Sequence, residues 1–223
     1  MSWQKRYESR SLRFRFYPLR KALILENLPP EGLILEMGAG PGVFPELARR
    51  IIALDANPEV LKQGSYARAC GLNESLPFRD RAFDAVVAAG TLEYSPLPEA
   101  LAEAHRVLRK KGMLLATFAN RLSLRRRWDS EVYLPLSSFL KVMIGRAAGR
   151  PVHWQMSVIE ATGLLRRAGF NPIGVKFLDA NPLPRPTERL WPGLASWLCD
   201  LLERHAHPLV ANQFLVIALK DQF

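Results

Sequence analysis

The chain has 223 residues, of which 48% are hydrophobic and 23% are charged, and this composition is typical of one domain that buries its core without disulfides. Its two cysteines, Cys70 and Cys199, are too few for a disulfide scaffold or a zinc site, so we expect two free thiols and no metal. The first residues lack the apolar segment of a signal peptide, and no apolar run is long enough to cross a bilayer, which favours a cytoplasmic protein.

The net charge of +10 is concentrated in two stretches. Residues 5–21 contain seven lysines or arginines and one acid, and residues 106–127 contain eight with no acid. Such a local excess can attract an anionic substrate, an anionic membrane surface or RNA. It can equally be a solvated surface that keeps the protein soluble.

Apolar runs alternate with helical stretches along the chain. A basic, largely helical lead-in over residues 1–30 ends at Pro29-Pro30. This alternation predicts an α/β fold with a doubly wound sheet in a single domain. Strands are predicted at 33–37, 51–55, 67–70, 84–89, 113–118, 173–178 and 214–219.

Three helical segments are predicted after the fourth strand. The first covers 98–109 and ends at Lys110-Lys111-Gly112. The second begins at the capping-box pattern of residues 157–160 and ends at Gly169. The third carries leucines and tryptophans at helical spacing between Leu190 and Leu202, a pattern that indicates core packing, an apolar lid or a membrane-facing helix.

The segment 33–42 combines a buried strand, an acid near its end and a turn with three glycines. Glu36 precedes Gly38, Gly40 and Gly42, and the next strand ends in a second acid, Asp55. Two carboxylates at the carboxyl edge of a parallel sheet form a cleft for hydroxyls or a cation. The dinucleotide fingerprint needs a glycine where Val43 stands, and the phosphate-binding loop needs a Gly-Lys-Ser/Thr sequence that is absent, so the spacing fits neither motif.

The glycine turn and Asp55, followed by the blocks 71–84, 103–112 and 164–170, resemble the class I methyltransferases that use S-adenosylmethionine. The resemblance covers most of residues 30–180 and is greatest to the small-molecule and quinone-type branch. It implies a Rossmann-like, seven-stranded, mostly parallel sheet with an antiparallel last strand. It also implies that residues 121–156 and 180–210 are insertions on the substrate side.

By this resemblance the glycines let the backbone lie against the cofactor, Glu36 orients its amino end, and Asp55 binds the ribose hydroxyls. The family often has aspartate at the position of Leu72, so the adenine contact falls to Asn73 or is lost. The connection from Gly42 to Asp55 is short, which predicts a first helix of about two turns. The implied cofactor-binding residues are Glu36, Gly38, Ala39, Gly40, Gly42, Asp55, Ala56, Leu72, Asn73, Ala89, Gly90 and Thr91.

Methyl transfer from a sulfonium needs mainly alignment and desolvation, so a catalytic cluster is not required. If the acceptor is a hydroxyl, Glu93 and His153 are the candidate general bases, although a structural role is open for His153. His105 is interpreted as a packing residue. The residues expected to bind the acceptor are Tyr94, Asn120, Arg121 and Arg125, the arginines by holding an acidic group, with a solvated basic loop as the alternative.

The sequence therefore predicts an S-adenosylmethionine-dependent methyltransferase that acts on a small, acidic or amphipathic molecule. Two alternatives stay open: an RNA methyltransferase, favoured by the charge, and a non-catalytic S-adenosylmethionine-binding protein. We see no separate RNA-binding module, so nucleic acid is the less expected partner. Contact with a membrane surface is a further hypothesis, and the oligomeric state is not predicted.

Overall fold

A computed structural model describes residues 15–62, 66–143, 154–183, 190–203 and 207–221. The strands are β1 (Ile34–Met37), β2 (Ile51–Asp55), β3 (Arg68–Cys70), β4 (Phe83–Ala89), β5 (Leu108–Ala119), β6 (Phe170–Ala180) and β7 (Ala211–Lys220). The α-helices are α1 (Phe16–Asn27), α2 (Pro58–Leu61), α3 (Leu97–Val107), α4 (Leu124–Trp128), α5 (Leu134–Met143), α6 (Val158–Arg167) and α7 (Pro192–Glu203).

The seven strands form one sheet in the order β3-β2-β1-β4-β5-β7-β6. Strand β7 pairs antiparallel with both β5 and β6, and the other pairings are parallel. The predicted doubly wound sheet with an antiparallel last strand is therefore confirmed. This order brings the carboxyl ends of six strands, together with the start of β7, to one edge of the sheet.

Apolar side chains cover both faces of the sheet, because parallel strands buried on two sides alternate between two cores. One core contains Leu35 and Leu101 and is covered by α3 and α6. The other contains Ile24 from α1 and Phe44 from the connection after β1. The basic lead-in thus contributes a core helix, and α1 ends just before Pro29, as the sequence predicts.

The connection between β1 and β2 is shorter than predicted. In place of a helix of two turns it contains a single 3₁₀ turn, Pro45–Leu47. The glycine turn occupies the first residues of the connection and β2 begins at Ile51, so little chain is left between them. Phe44 and Leu47 are buried and fill part of the sheet face that a longer helix would cover.

Of two further predicted helix boundaries, one is wrong and one is confirmed. Helix α3 ends at Val107, and β5 begins at the next residue, so Lys110-Lys111-Gly112 does not end the helix. The helix ends at Val107 because Leu108 already has an extended backbone, with ψ of 140°. The capping box at the start of α6 is confirmed, since Ser157 and Glu160 exchange side-chain and backbone hydrogen bonds.

The apolar stripe of α7 faces outward rather than into the core. Within the helix only Ala195 and Cys199 are buried. The exposed apolar side chains of the stripe, each 47–66% accessible, are Leu190, Trp191, Leu194, Trp197 and Leu201. Among the described helices, none combines the length and the apolar character that a bilayer span requires.

Candidate functional site

The glycine turn lies at the carboxyl edge of the sheet, between the ends of β1 and β2. Its three glycines have positive φ values: 61° at Gly38, 58° at Gly40 and 77° at Gly42. A Cβ on Gly38 would fall 1.9 Å from Thr91 Oγ1, and one on Gly42 would fall 2.3 Å from the hydroxyl of Tyr66. A Cβ on Gly40 would meet only Val60, at 3.8 Å. The turn is therefore packed on two sides and open at Gly40.

Asp55 ends β2 and is bonded to the turn. The Gly40 N–H donates to Asp55 Oδ2 at 2.8 Å, and the Asn57 N–H donates to Oδ1 at 2.9 Å. The Ala39 N–H donates to the carbonyl of Leu54 at 2.8 Å, so the turn and β2 are joined twice. Each oxygen of a carboxylate can accept a second hydrogen bond. The partly exposed Asp55 can therefore bind hydroxyls while it holds the turn.

Glu36 is a buried carboxyl group beneath the same turn, with 2% of its surface exposed. The hydroxyl of Tyr66 donates to Glu36 Oε2 at 2.8 Å and accepts from the Phe44 N–H at 3.3 Å. Burial raises the pKa of Glu36 to about 8, although the Tyr66 hydrogen bond and the charge of Arg20 both lower it. An approaching cation would favour the ionised form of this carboxyl.

Arg20 and Tyr66 are site residues that sequence reasoning missed. Arg20 is buried, and its guanidinium carbon lies 5.6 Å from the ring centroid of Phe16 and 5.4 Å from that of Tyr17. A Cβ on Gly90 would fall 2.4 Å from Arg20 Nη1, so the guanidinium packs directly against the turn after β4. Neither residue belongs to a motif, and the only available signal was the short connection after β1.

The predicted adenine-side residues follow β3 and β4. Leu72 is exposed, whereas Asn73 is buried and donates from Nδ2 to Thr91 Oγ1 and Ser95 Oγ, each at 2.9 Å. Asn73 thus joins the loop after β3 to the loop after β4. Gly90 has φ of 72° between the half-buried Ala89 and the buried Thr91, while Ala56 is exposed beside Asp55.

Glu93 and Tyr94 lie in a 3₁₀ turn, Leu92–Tyr94, directly after this segment. Burial, and then the charges of Glu93 and Tyr17, raise the pKa of Tyr94, whereas Arg126 and Arg20 lower it. These side chains are therefore close enough to interact electrostatically. Glu93 and Tyr94 stand where the sequence predicts them, at the end of β4.

A buried polar network covers the same edge where β5, β6 and β7 meet. Arg126 donates from Nε to the carbonyl of Asn212 at 2.5 Å. Asp179 has φ of 61°, and its backbone is held by Glu203, which accepts its N–H at 2.9 Å, and by Asn212 Nδ2, which donates to its carbonyl at 3.0 Å. Burial raises the pKa of Asp179 to about 7, although the charges of Arg125 and Arg126 lower it. Burial lowers the pKa of Arg126, although the charges of Asp179 and Glu93 raise it.

The other predicted acceptor residues have partners within the protein. Asn120 is fully buried and donates from Nδ2 to the carbonyls of Pro208 and Ala211, at 2.6 and 2.7 Å. Arg121 is 56% exposed and pairs with Glu160 of α6 at 2.9 Å. Of the predicted arginines, only Arg125 has its charge beside Asp179.

The two histidine predictions differ in outcome. His105 packs edge-on against Phe170, with ring centroids 5.3 Å apart, and its Nε2 lies near Gly169. This position agrees with a packing role. The candidate base His153 lies outside the described residues.

The sheet order is that of the fold shared by the class I S-adenosylmethionine-dependent methyltransferases, and this edge contains the glycine turn and the two acids on which the sequence resemblance rests. Residues 35–116 match the family model described as "Methyltransferase domain". The resemblance inferred from the sequence is therefore confirmed, and S-adenosylmethionine is the cofactor of this class.

Several known proteins are similar to this chain. An uncharacterized protein of Methanocaldococcus jannaschii is 34% identical over 96 residues, which are 41% of this chain and 43% of that protein. A methyltransferase structure from Thermotoga maritima has a TM-score of 0.59 at 22% identity, covering 92% of this chain and 89% of that one. Another from Methanosarcina mazei has a TM-score of 0.60 at 19% identity, covering 90% and 98%. The chain spans less than half the length of the curated relatives it matches.

Proposed function

We propose that the protein transfers a methyl group from S-adenosylmethionine to a small, anionic or amphipathic acceptor. The observation that carries this proposal is the arrangement at the carboxyl edge, where an open glycine turn lies between a buried carboxyl and a half-buried one. The two carboxyl groups at this edge suit the polar groups of the cofactor. Glu36 can pair with an ammonium group, and Asp55 can accept from a pair of ribose hydroxyls.

Several residues of the chain would hold the cofactor. The buried guanidinium of Arg20 packs against Gly90 and acts on Glu36 electrostatically, so it supplies a positive charge suited to a carboxylate. Leu72 offers an exposed apolar side chain at the side of the adenine. The bound cofactor supplies an electrophilic methyl group on a sulfonium, which leaves without acid catalysis. The protein has to align the acceptor and exclude water.

The positions of Arg125 and Arg126 support an anionic acceptor. We assign to Arg126, rather than to Arg121, the role of holding the acidic group of the acceptor. The Nε bond to Asn212 fixes the Arg126 guanidinium near Glu93. A fixed guanidinium is well suited to a carboxylate or phosphate. Glu93 is the candidate base if the acceptor is a hydroxyl.

The test is transfer of labelled methyl from S-adenosylmethionine to a panel of hydroxy acids, to their neutral esters and to total RNA. We expect label in the acids, and we expect Arg126→Gln to raise the acceptor KM about tenfold or more by removing a charge-assisted contact. Arg121→Gln is the matched control and should leave KM unchanged. Label in RNA alone, with a steep salt dependence, would favour the RNA methyltransferase instead. Cofactor binding without transfer to any acceptor would favour the non-catalytic alternative.

The exposed face of α7 supports contact with an anionic membrane surface. Trp197 of α7 and Trp191, which directly precedes the helix, are each 60% exposed, and tryptophan and leucine are the side chains that enter the lipid interface. The net charge of +10 adds attraction to anionic lipid.

We expect the protein to sediment with phosphatidylserine vesicles and more weakly with phosphatidylcholine vesicles. Serine at both Trp191 and Trp197 should reduce sedimentation about tenfold, because two large apolar side chains no longer insert. The matched control is Trp154→Ser, which removes a tryptophan that is 76% exposed outside α7. Wild-type protein that stays in the supernatant with both lipids contradicts membrane contact.

A further inference from the structure

Tyr66 fills the space beneath the glycine turn from a distant segment of the chain. It lies between α2 and β3, and it is 8% exposed within the apolar cluster that contains Phe44 and Leu61. The connection after β1 contributes only a 3₁₀ turn beside it. The ring therefore occupies space close to Gly42 that the short connection does not fill.

The hydroxyl of Tyr66 connects the buried acid to the backbone of the turn. It donates to Glu36 Oε2 at 2.8 Å and accepts from the Phe44 N–H at 3.3 Å. Its closeness to Gly42 explains why this position has to be glycine, since a Cβ there would lie 2.3 Å from the Tyr66 oxygen. A change at Tyr66 thus acts on both the carboxyl group and the turn.

We propose that Tyr66 is a positioning residue that holds Glu36 in the orientation in which its carboxylate receives the ammonium group of S-adenosylmethionine. The inference rests on the proposed function, because it assigns a cofactor group to Glu36. It adds a residue from outside the glycine turn and the two acidic strand ends. It also predicts that cofactor binding is coupled to loss of a proton from Glu36.

The coupling follows from the groups that face Glu36. These are Tyr66, Arg20 from α1 and Asp55 from β2, together with the backbone of Val43. With a pKa of about 8, the carboxyl of the ligand-free protein is mostly protonated at neutral pH. An ammonium partner favours the carboxylate, so binding releases a proton below that pH. As the pH rises through 8, the carboxyl ionises beforehand and the release declines.

The experiment is calorimetric titration of the protein with S-adenosylmethionine in buffers of different ionisation enthalpy. We expect wild-type protein to release about one proton per cofactor at about pH 6. In Tyr66→Phe the hydrogen bond that lowers the Glu36 pKa is lost, so the midpoint of the release should move to higher pH. Affinity at neutral pH should fall about tenfold, the effect of losing one hydrogen bond to a charged group.

Two further variants keep the test decisive. Thr162→Val is the matched control, because it removes a hydroxyl that donates to the Val158 carbonyl at 2.8 Å in α6, and it should change neither affinity nor proton release. Glu36→Gln should abolish the release even if Tyr66→Phe does not fold. Wild-type affinity and midpoint in Tyr66→Phe would overturn the role of Tyr66, as would unchanged release in Glu36→Gln. Absence of cofactor binding by the wild-type protein would instead overturn the proposed function.

Discussion

Gly38→Ala is expected to abolish measurable binding of S-adenosylmethionine. The new Cβ would lie 1.9 Å from Thr91 Oγ1 and 2.5 Å from Thr91 Cβ, and the residue would have to keep a φ of 61°. The left-handed conformation costs about 1–2 kcal/mol for a residue with a Cβ, and overpacking costs about 1–3 kcal/mol more. The turn can relieve this strain only by moving away from Thr91, which displaces the backbone that we propose to face the cofactor.

Calorimetry with the cofactor measures the loss of binding, and thermal unfolding measures the loss of stability. Gly163→Ala is the matched control, because no atom lies within 4 Å of the position of its Cβ in α6. Alanine there should raise the stability by about 0.5–1 kcal/mol through helix propensity and leave cofactor binding unchanged. Wild-type affinity in Gly38→Ala would show that the turn does not approach the cofactor.

Asp55→Ala is expected to weaken cofactor binding by about 100-fold or more. Hydrogen bonds from ligand hydroxyls to a carboxylate contribute about 1.5–3 kcal/mol each, and two of them would be lost. The variant also leaves the Gly40 N–H without its bond to Asp55, so the turn loses one of its two attachments to β2. Titration with S-adenosylmethionine and with S-adenosylhomocysteine should give equal losses, because both contain the ribose.

Asp80→Ala is the control for the removal of an acid. Asp80 is largely exposed and pairs with Arg106 at 2.7 Å, so its loss should change stability by less than about 1 kcal/mol and leave the cofactor affinity intact. Unaltered binding by Asp55→Ala would contradict a ribose contact at this residue and with it the assignment of the edge of β2.

Part of the site was predictable because it is local in sequence. The glycine turn, Glu36 and Asp55 follow buried strands within a short distance, and the topology of parallel strands brings their ends to one edge. Tyr66 and Arg20 were not predictable in the same way. They come from segments without a motif, and they reach the site only because the connection after β1 is too short to cover Glu36 itself.

The partners of the arginines that follow β5 were likewise not predictable from the sequence. The basic run after β5 was visible in the sequence, but the surroundings of each arginine depend on partners in β7 and α6. Asn212 fixes Arg126 by accepting from its Nε, whereas Glu160 pairs with Arg121. Charge along a chain does not specify those partners, and the prediction named Arg121 and Arg125 but not Arg126.

The sequence by itself indicated the class of the fold, the mostly parallel sheet with its antiparallel last strand, and the two carboxylates at its edge, because apolar periodicity and glycine spacing act over short distances. The tertiary structure decided how those carboxylates are held, which arginine is fixed near Glu93, and that the stripe of α7 faces outward. Helical spacing shows that one side of a helix is apolar. Only the packing of α7 through Ala195 and Cys199 shows that Trp191 and Trp197 stay exposed.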